Sequence, residues 1–178
     1  MATLIKKNKN LTKSERKLIN KNRIKDFGIK EKKDFNKDYE PDTLWFFVKD
    51  KRKTVALGGL RPINITYLSK RYKIWGICSI ISIEKGKGYG RKLIKSMINY
   101  CRKTGKSALG FTEKTEFFKK VGLGTKKDFI KRFIYKNPET QEELIDNDGD
   151  GIYYSDQDNF IKKVLSTKSK VYIEVIHW

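Results

Sequence analysis

The seven residues Lys85-Gly86-Lys87-Gly88-Tyr89-Gly90-Arg91 are the part of this chain best suited to chemistry, and the chemistry is anion binding. Glycines at alternate positions let backbone N–H groups turn toward one point without interference from a Cβ. A helix beginning near Tyr89 adds the partial positive charge of its first turn. The dinucleotide fingerprint G-x-G-x-x-G would need glycine where Arg91 stands. The phosphate loop G-x-x-x-x-G-K-[ST] fails at Gly105-Lys106-Ser107, because Tyr100 occupies its first glycine position. Neither nucleotide motif is present.

The elements that must hold this loop are legible on both sides. Upstream, Tyr72 to Ile83 is a long apolar run that reads as a strand. Downstream, Leu93, Ile94, Met97, Ile98 and Cys101 recur at helical spacing and give a helix with one buried face. A short strand, Ser107 to Thr112, follows. Next comes a helix ending in Phe117-Phe118-Lys119-Lys120-Val121-Gly122-Leu123, where glycine suits a helix C-terminus.

The loop Lys85-Gly86-Lys87-Gly88-Tyr89-Gly90 resembles the acyl-CoA pyrophosphate loop R/Q-x-x-G-x-G/A of the GNAT superfamily of N-acetyltransferases, with Lys85 at the Arg/Gln position. Phe117 to Leu123 is similar to that family's F-Y-x-K-x-G-F signature. The resemblance runs from about residue 44 to 136 and is specific at 80–94 and 117–123. It implies an α+β GNAT fold, a mixed, mostly antiparallel twisted sheet flanked by helices. Residues 1–178 are then expected to form one domain, with C-terminal strands and a short helix over 137–178.

The same resemblance implies acetyl-CoA as cosubstrate and direct attack of a primary amine on its thioester. Backbone groups of Ser79, Ile81 and Ile83 would meet the pantetheine arm. The amides of Lys87, Gly88, Tyr89, Gly90 and Arg91 would hold the pyrophosphate, with charge from Lys85, Arg91 and Lys92 and with Phe118 beside the donor. Many relatives place at the position of Phe118 a tyrosine that protonates the leaving thiolate; phenylalanine cannot donate a proton. Thiolate is a good leaving group, so either water suffices or Tyr153 or Tyr154 reaches in from the Asp/Gly turn region. For the base, Glu84 is the leading carboxylate, with Glu113, Glu116 and His177 as further candidates. A second reading is a GNAT domain repurposed as a CoA-containing nucleic-acid-binding or interaction module.

The charge bears on partners. With 41 Lys and Arg against 21 Asp and Glu, the net charge is +20, a field that attracts polyanions whatever the fold. Only 8 of the basic residues are Arg, the residue that builds most base and phosphate forks. Nucleic acid stays open as a partner, while polycationic acceptors are disfavoured by repulsion. No apolar run reaches the length of a membrane span and the start lacks a signal-peptide core, so a cytoplasmic protein without membrane contact is expected. Cys78 and Cys101 lie on apolar faces and read as small core residues.

Along the rest of the chain, Ala2 to Lys6 reads as a strand, and Thr12-Lys13-Ser14-Glu15 has the form of a capping box opening a helix to about residue 25. Gly28 to Asp42 is charged and aperiodic, in the region that shapes the acceptor site in the family it resembles. Leu44 to Val48 and Thr54 to Leu60 read as a hairpin whose regular pairing ends at Arg61-Pro62. Phe129 to Lys136 reads as a strand, Gln157 to Leu165 as a short helix and Val171 to Ile176 as a closing strand. The carboxylates Asp146, Asp148 and Asp150 match the opening of a calcium loop, but position 12 is Gln157, and an Asp/Gly turn leading into a strand over Gly151 to Ser155 is preferred; no metal is expected.

Overall fold

The computed structural model describes residues 1–137, 140–145 and 149–174. The fold is α+β, with mixed, mostly antiparallel strands and, among the described residues, four α-helices. Two compact units are distinguished, Met1–Arg61 with Cys78–Met97, and Pro62–Ile77 with Ile98–Trp178.

The first unit contains β1 (Ala2–Lys7), α1 (Lys13–Phe27), β2 (Leu44–Asp50), the start of β3 (Lys53–Tyr67), the end of β4 (Lys70–Ser82) and the start of α2 (Tyr89–Thr104). The capping box is made: Glu15 N donates to Thr12 Oγ1 at 3.2 Å and Thr12 N donates to Glu15 Oε2 at 2.9 Å. Two of the amides that a helix start leaves over are thereby satisfied. Strand β2 is antiparallel to β1 from Lys7↔Leu44 to Ala2↔Lys49 and to β3 from Leu44↔Leu60 to Asp50↔Lys53. Covered on both faces, Trp45, Phe46, Phe47 and Val48 are all buried, so this strand shows no alternation in sequence.

The aperiodic stretch between α1 and β2 is irregular apart from a 3-10 turn at Ile29–Glu31. Side chains tie it down. Asn20 Nδ2 donates to Lys33 O at 2.9 Å and its Oδ1 accepts from Lys33 N at 3.0 Å, while Asn8 Nδ2 donates to Phe35 O at 2.7 Å. Phe35, Tyr39 and Trp45 then pack ring to ring, with centroids 5.1 to 5.7 Å apart.

In the second unit β3 and β4 are joined by Leu68 and Ser69, at φ 48° and 62°, the left-handed pair that suits a two-residue hairpin. Next come β5 (Ala108–Thr112), α3 (Thr115–Lys119), β6 (Gly124–Lys126), β7 (Phe133–Lys136), β8 (Glu143–Ile145), β9 (Asp150–Tyr154), α4 (Phe160–Ser166) and β10 (Val171–Ile173). Strand β5 runs parallel to β4 at Trp75↔Ala108 and Gly76↔Leu109, and β9 lies antiparallel between β5 and β6. Ile63, Tyr72, Leu109, Phe133, Phe160 and Val164 belong to one core cluster. Asp158 fixes the entry to α4 by accepting from Ser107 N at 2.6 Å, Ser107 Oγ at 2.5 Å and Phe160 N at 3.0 Å.

Two expectations are corrected. Strand β3 does not stop at Arg61-Pro62 but runs to Tyr67. What ends is its pairing with β2, at Leu60, and β10 takes up the ladder again at Ile65 and Thr66, so Pro62, which has no N–H, falls where neither partner is paired. Phe129–Arg132 is a 3-10 turn rather than strand, entered through Asp128 at φ 54°, with Phe129 and Ile130 turned into the core. The final strand expected in this region is present as β10, between β3 and β7, antiparallel to the first and parallel to the second. Strands β6 and β8, three residues each, carry too little pattern to be read from sequence. Both cysteines are buried and free, and burial pushes the Cys78 thiol up to about 11 and that of Cys101 to about 12.

Thr12→Ala removes one half of the capping box and is expected to cost about 1 kcal/mol, roughly 2–4 °C in a thermal melt for a chain of this size. Burial pushes the Glu15 carboxyl up, but hydrogen bonds from Lys6 and Thr12 outweigh it and hold the group below its ordinary value. Its contribution is therefore complete above the unfolded-state pKa and lost as pH falls through the lower folded value. The stability gap between wild type and Glu15→Gln should close over that acid range; a gap that stays constant down to the acid transition contradicts this.

Candidate functional site

The site is built on the end of β4, the loop after it and the first turn of α2. Within β4, Ser79 has φ +53°, a left-handed conformation uncommon for a residue with a Cβ and rarer still inside a strand. Space for this kink comes from β3, where Gly58 and Gly59 face it. A Cβ on Gly58 would stand 2.7 Å from Ile80 Cδ1, and one on Gly59 would stand 2.7 Å from Cys78 Sγ. Ile81 is buried. At the strand's end Ile83 N and Glu84 N both donate to Val55 O, at 2.9 and 3.3 Å. The Ile83 amide is thereby engaged.

Two further left-handed residues follow, Gly86 at φ 78° and Gly88 at φ 74°. A Cβ at either would meet nothing within 4 Å, so backbone conformation rather than crowding calls for glycine. Lys92 N donates to Gly88 O at 3.2 Å, which makes Gly88 the residue capping α2. The amides of Tyr89, Gly90 and Arg91 are then those of the first turn, with no intrahelical acceptor and with the positive end of a 16-residue helix behind them. Tyr89 is buried and donates through its hydroxyl to Asp50 Oδ2 at 3.0 Å, which pins the start of α2 to β2. Lys92 Nζ donates to Met1 O at 2.9 Å.

Charge around the loop is mixed. Lys85 and Lys87 are exposed; Lys85 Nζ lies 3.8 Å from Asp26 Oδ1 and Lys87 Nζ lies 3.1 Å from Glu84 Oε2. Glu84 also accepts from Lys53 Nζ at 3.0 Å. Hydrogen bonds from Lys53 and then Lys87 hold its carboxyl below the ordinary carboxylate range, and the same contact raises Lys87. A carboxylate stabilised in this way is a weaker proton acceptor.

Other expected site residues belong to the second unit. Phe118 is buried in α3, its ring 5.1 Å from that of the exposed Phe117. The helix closes as its signature requires: Leu123 N donates to Phe118 O and Gly122 N to Lys119 O, both at 3.1 Å, with Gly122 at φ 96°. Tyr153, half-buried in β9, lies over Gly124, with Phe129 at 6.2 Å between centroids. Burial and a hydrogen bond with Asp156 raise the Tyr154 phenol, against the pull of Arg102. Asp150 accepts from Asp128 N at 2.9 Å, whereas Asp146, Asp148 and His177 lie outside the described residues.

One buried polar cluster was not anticipated. Arg23 of α1 is buried, and its Nη1 donates to Ser79 Oγ, its Nε to Glu31 O at 2.9 Å and its Nη2 to Glu31 Oε2 at 2.7 Å. Tyr39 lies beside Ser79, and burial pushes its phenol up to about 12. Close by, Arg61 Nε donates to Glu40 Oε2 at 2.7 Å. The signal in sequence was the poverty of α1: Ile19 is its only fully apolar buried residue, and Asn22 and Arg23 complete the inner face.

Among solved structures, the fold is similar to that of a probable N-acyltransferase from Enterococcus faecalis V583, at 17% identity and TM-score 0.57 over 72% of this chain. This chain spans about a third of that protein, 33% of its length. Escherichia coli ElaA is similar over 86% of this chain and 99% of its own, at 13% identity and TM-score 0.58. An N-acetyltransferase from Staphylococcus aureus Mu50 is similar over 87% and 98%, at 16% identity and TM-score 0.55. At such identities these likenesses establish the fold alone. No curated protein matches the chain. Residues 13–122, however, match the Acetyltransferase (GNAT) family, a span that includes the kinked strand, the glycine loop, α2 and the closing turn of α3. The chain belongs to the GNAT acetyltransferase family, whose members transfer acyl groups from coenzyme A thioesters.

Proposed function

We propose that this chain, as a single domain, is an N-acetyltransferase that passes an acetyl group from acetyl-CoA to a primary amine by direct attack on the thioester. The observation that carries the reading is the pair of left-handed glycines, Gly86 and Gly88, set between β4 and the first turn of α2. That arrangement suits a pyrophosphate: outward amides, a helix N-terminus, and Lys85, Lys87 and Arg91 nearby for charge. The pantetheine arm would add along β4 through backbone groups of Ser79 to Ile81 and the Ile83 carbonyl, which leaves the side chains there free to be apolar. A backbone amide beside the kink would stabilise the developing oxyanion, and proximity would supply most of the rate.

Thiolate is a good leaving group, so water serves where Phe118 cannot, and Tyr153 is the side chain retained as a candidate donor. Glu84 is read as the counter-charge of Lys53 and Lys87 rather than as the base. The alternative of a CoA-containing nucleic-acid module rests on the +20 net charge. Affinity for tRNA that does not fall with salt would eliminate it.

Calorimetric titration is expected to show acetyl-CoA binding to the wild type, and Gly88→Glu should abolish it by placing charge and bulk in the anion seat and forcing φ away from 74°. Undiminished binding by a folded Gly88→Glu would remove the loop from the site. A panel of primary amines, covering amino acids, peptides and aminoacyl-tRNA, then identifies the acceptor by CoA thiol release. Glu84→Gln frees Lys53 and Lys87, so acetyl-CoA should bind as tightly or a few-fold tighter at low salt, with kcat within about tenfold of wild type. A loss beyond about a hundredfold in kcat with binding intact would instead make Glu84 the general base.

A further inference from the structure

We infer that Arg23 is a positioning residue: its guanidinium holds Ser79 in the left-handed conformation and so sets the direction of the β4 backbone groups that meet the thioester. The catalytic half of this inference rests on the function proposed above. A left-handed residue with a Cβ persists only where its surroundings over-determine it. Here the surroundings are specific. Arg23 is 6% exposed and Ser79 9%, and the guanidinium reaches the serine hydroxyl while its other nitrogens are fixed by the carbonyl and carboxylate of Glu31. The ring of Phe27 lies 5.7 Å from the guanidinium carbon.

A surface ion pair would not need this placement. The Glu31 side chain is 42% exposed against 7% for that of Arg23, so the pair is made at the surface end and the guanidinium extends inward to the strand. Burying a guanidinium is costly unless its donors are used, and the inward donor is spent on Ser79. Tyr39, held protonated by burial, lies beside Ser79, and Gly58 leaves room for the residue after the kink, a Cβ there standing 2.7 Å from Ile80 Cδ1. Helix α1, the Ile29–Glu31 turn and β4 are thereby bolted at one residue.

The test uses Arg23→Ala, Arg23→Lys and the double variant Arg23→Ala/Ser79→Gly, each first shown to be folded by thermal melt. NMR of the ligand-free protein reads Ser79 directly, through its three-bond HN–Hα coupling and Cα shift. In Arg23→Ala these should move from left-handed to extended values. With acetyl-CoA and the fastest amine of the panel, kcat should fall at least tenfold while KM for acetyl-CoA stays within about threefold, because the pyrophosphate seat is untouched. Glycine takes a positive φ without help, so the double variant should recover most of the lost kcat. A Ser79 signal that stays left-handed in Arg23→Ala overturns the inference whatever the activity. So does a double variant as slow as the single one, or a parallel change in kcat and KM. Should Arg23→Ala not fold, Arg23→Lys, which keeps the charge and loses the fork, is held to the same criteria. A wild type that neither binds nor turns over acetyl-CoA refutes the proposed function and the catalytic half, and the Ser79 signal still decides the positioning half.

Discussion

Three left-handed residues within ten positions, Ser79, Gly86 and Gly88, are the constraint on which the first unit depends. A regular strand sends its amides into neighbouring strands, and a regular helix sends them back along its axis. A backbone turned out of both patterns, leading into the open first turn of a helix, offers several amides to one anion. Glycine takes up the turn at 86 and 88 without help. At 79 the chain carries serine, and Arg23 of α1, itself fixed by Glu31 of the segment after that helix, does the holding. The Asn20–Lys33 pair, the Asn8–Phe35 contact and the Phe35–Tyr39–Trp45 ring cluster fix that segment, so that Arg23 and Tyr39 arrive at Ser79 already ordered.

Electrostatics play a narrower part than the +20 net charge suggests. Lysines at the loop are opposed by Asp26 and Glu84, and such exposed pairs contribute little to stability. Their effect is on the field an approaching polyanion meets. Glu84 tempers that field, and its depressed pKa is the mark of that role. Fixed dipoles, supplied by the first turn of α2, do not depend on pH, which suits a site whose ligand is charged throughout the neutral range.

Much of this was legible in the sequence, for reasons that can be stated residue by residue. Thr12 and Glu15 announce α1 because a capping box is local chemistry. The stripe Leu93, Ile94, Met97 and Cys101 announces α2 because one face alone is buried. The closing turn at Gly122 depends on one glycine and one hydrophobic neighbour, both in place. Illegible features depended on partners distant in sequence. Strand β3 passes Pro62 because β10 pairs with it at Ile65 and Thr66, and Phe129–Arg132 coils because its aromatic ring is wanted in the core. Arg23 could not be singled out among so many basic residues, since only the tertiary structure places it inside. Among the described residues no helix is long and apolar enough to cross a membrane.

The account stands or falls on whether the backbone of the Lys85 to Arg91 loop and the adjoining turn of α2 receives coenzyme A. An amide-resolved NMR titration of the isotope-labelled chain with CoA tests this most directly. The predicted result is saturable shifts largest at Gly88, Tyr89, Gly90 and Arg91, with a second set along Ser79 to Ile81. Saturating CoA that leaves those amides unmoved, or that shifts only a scatter of surface lysines, would contradict it.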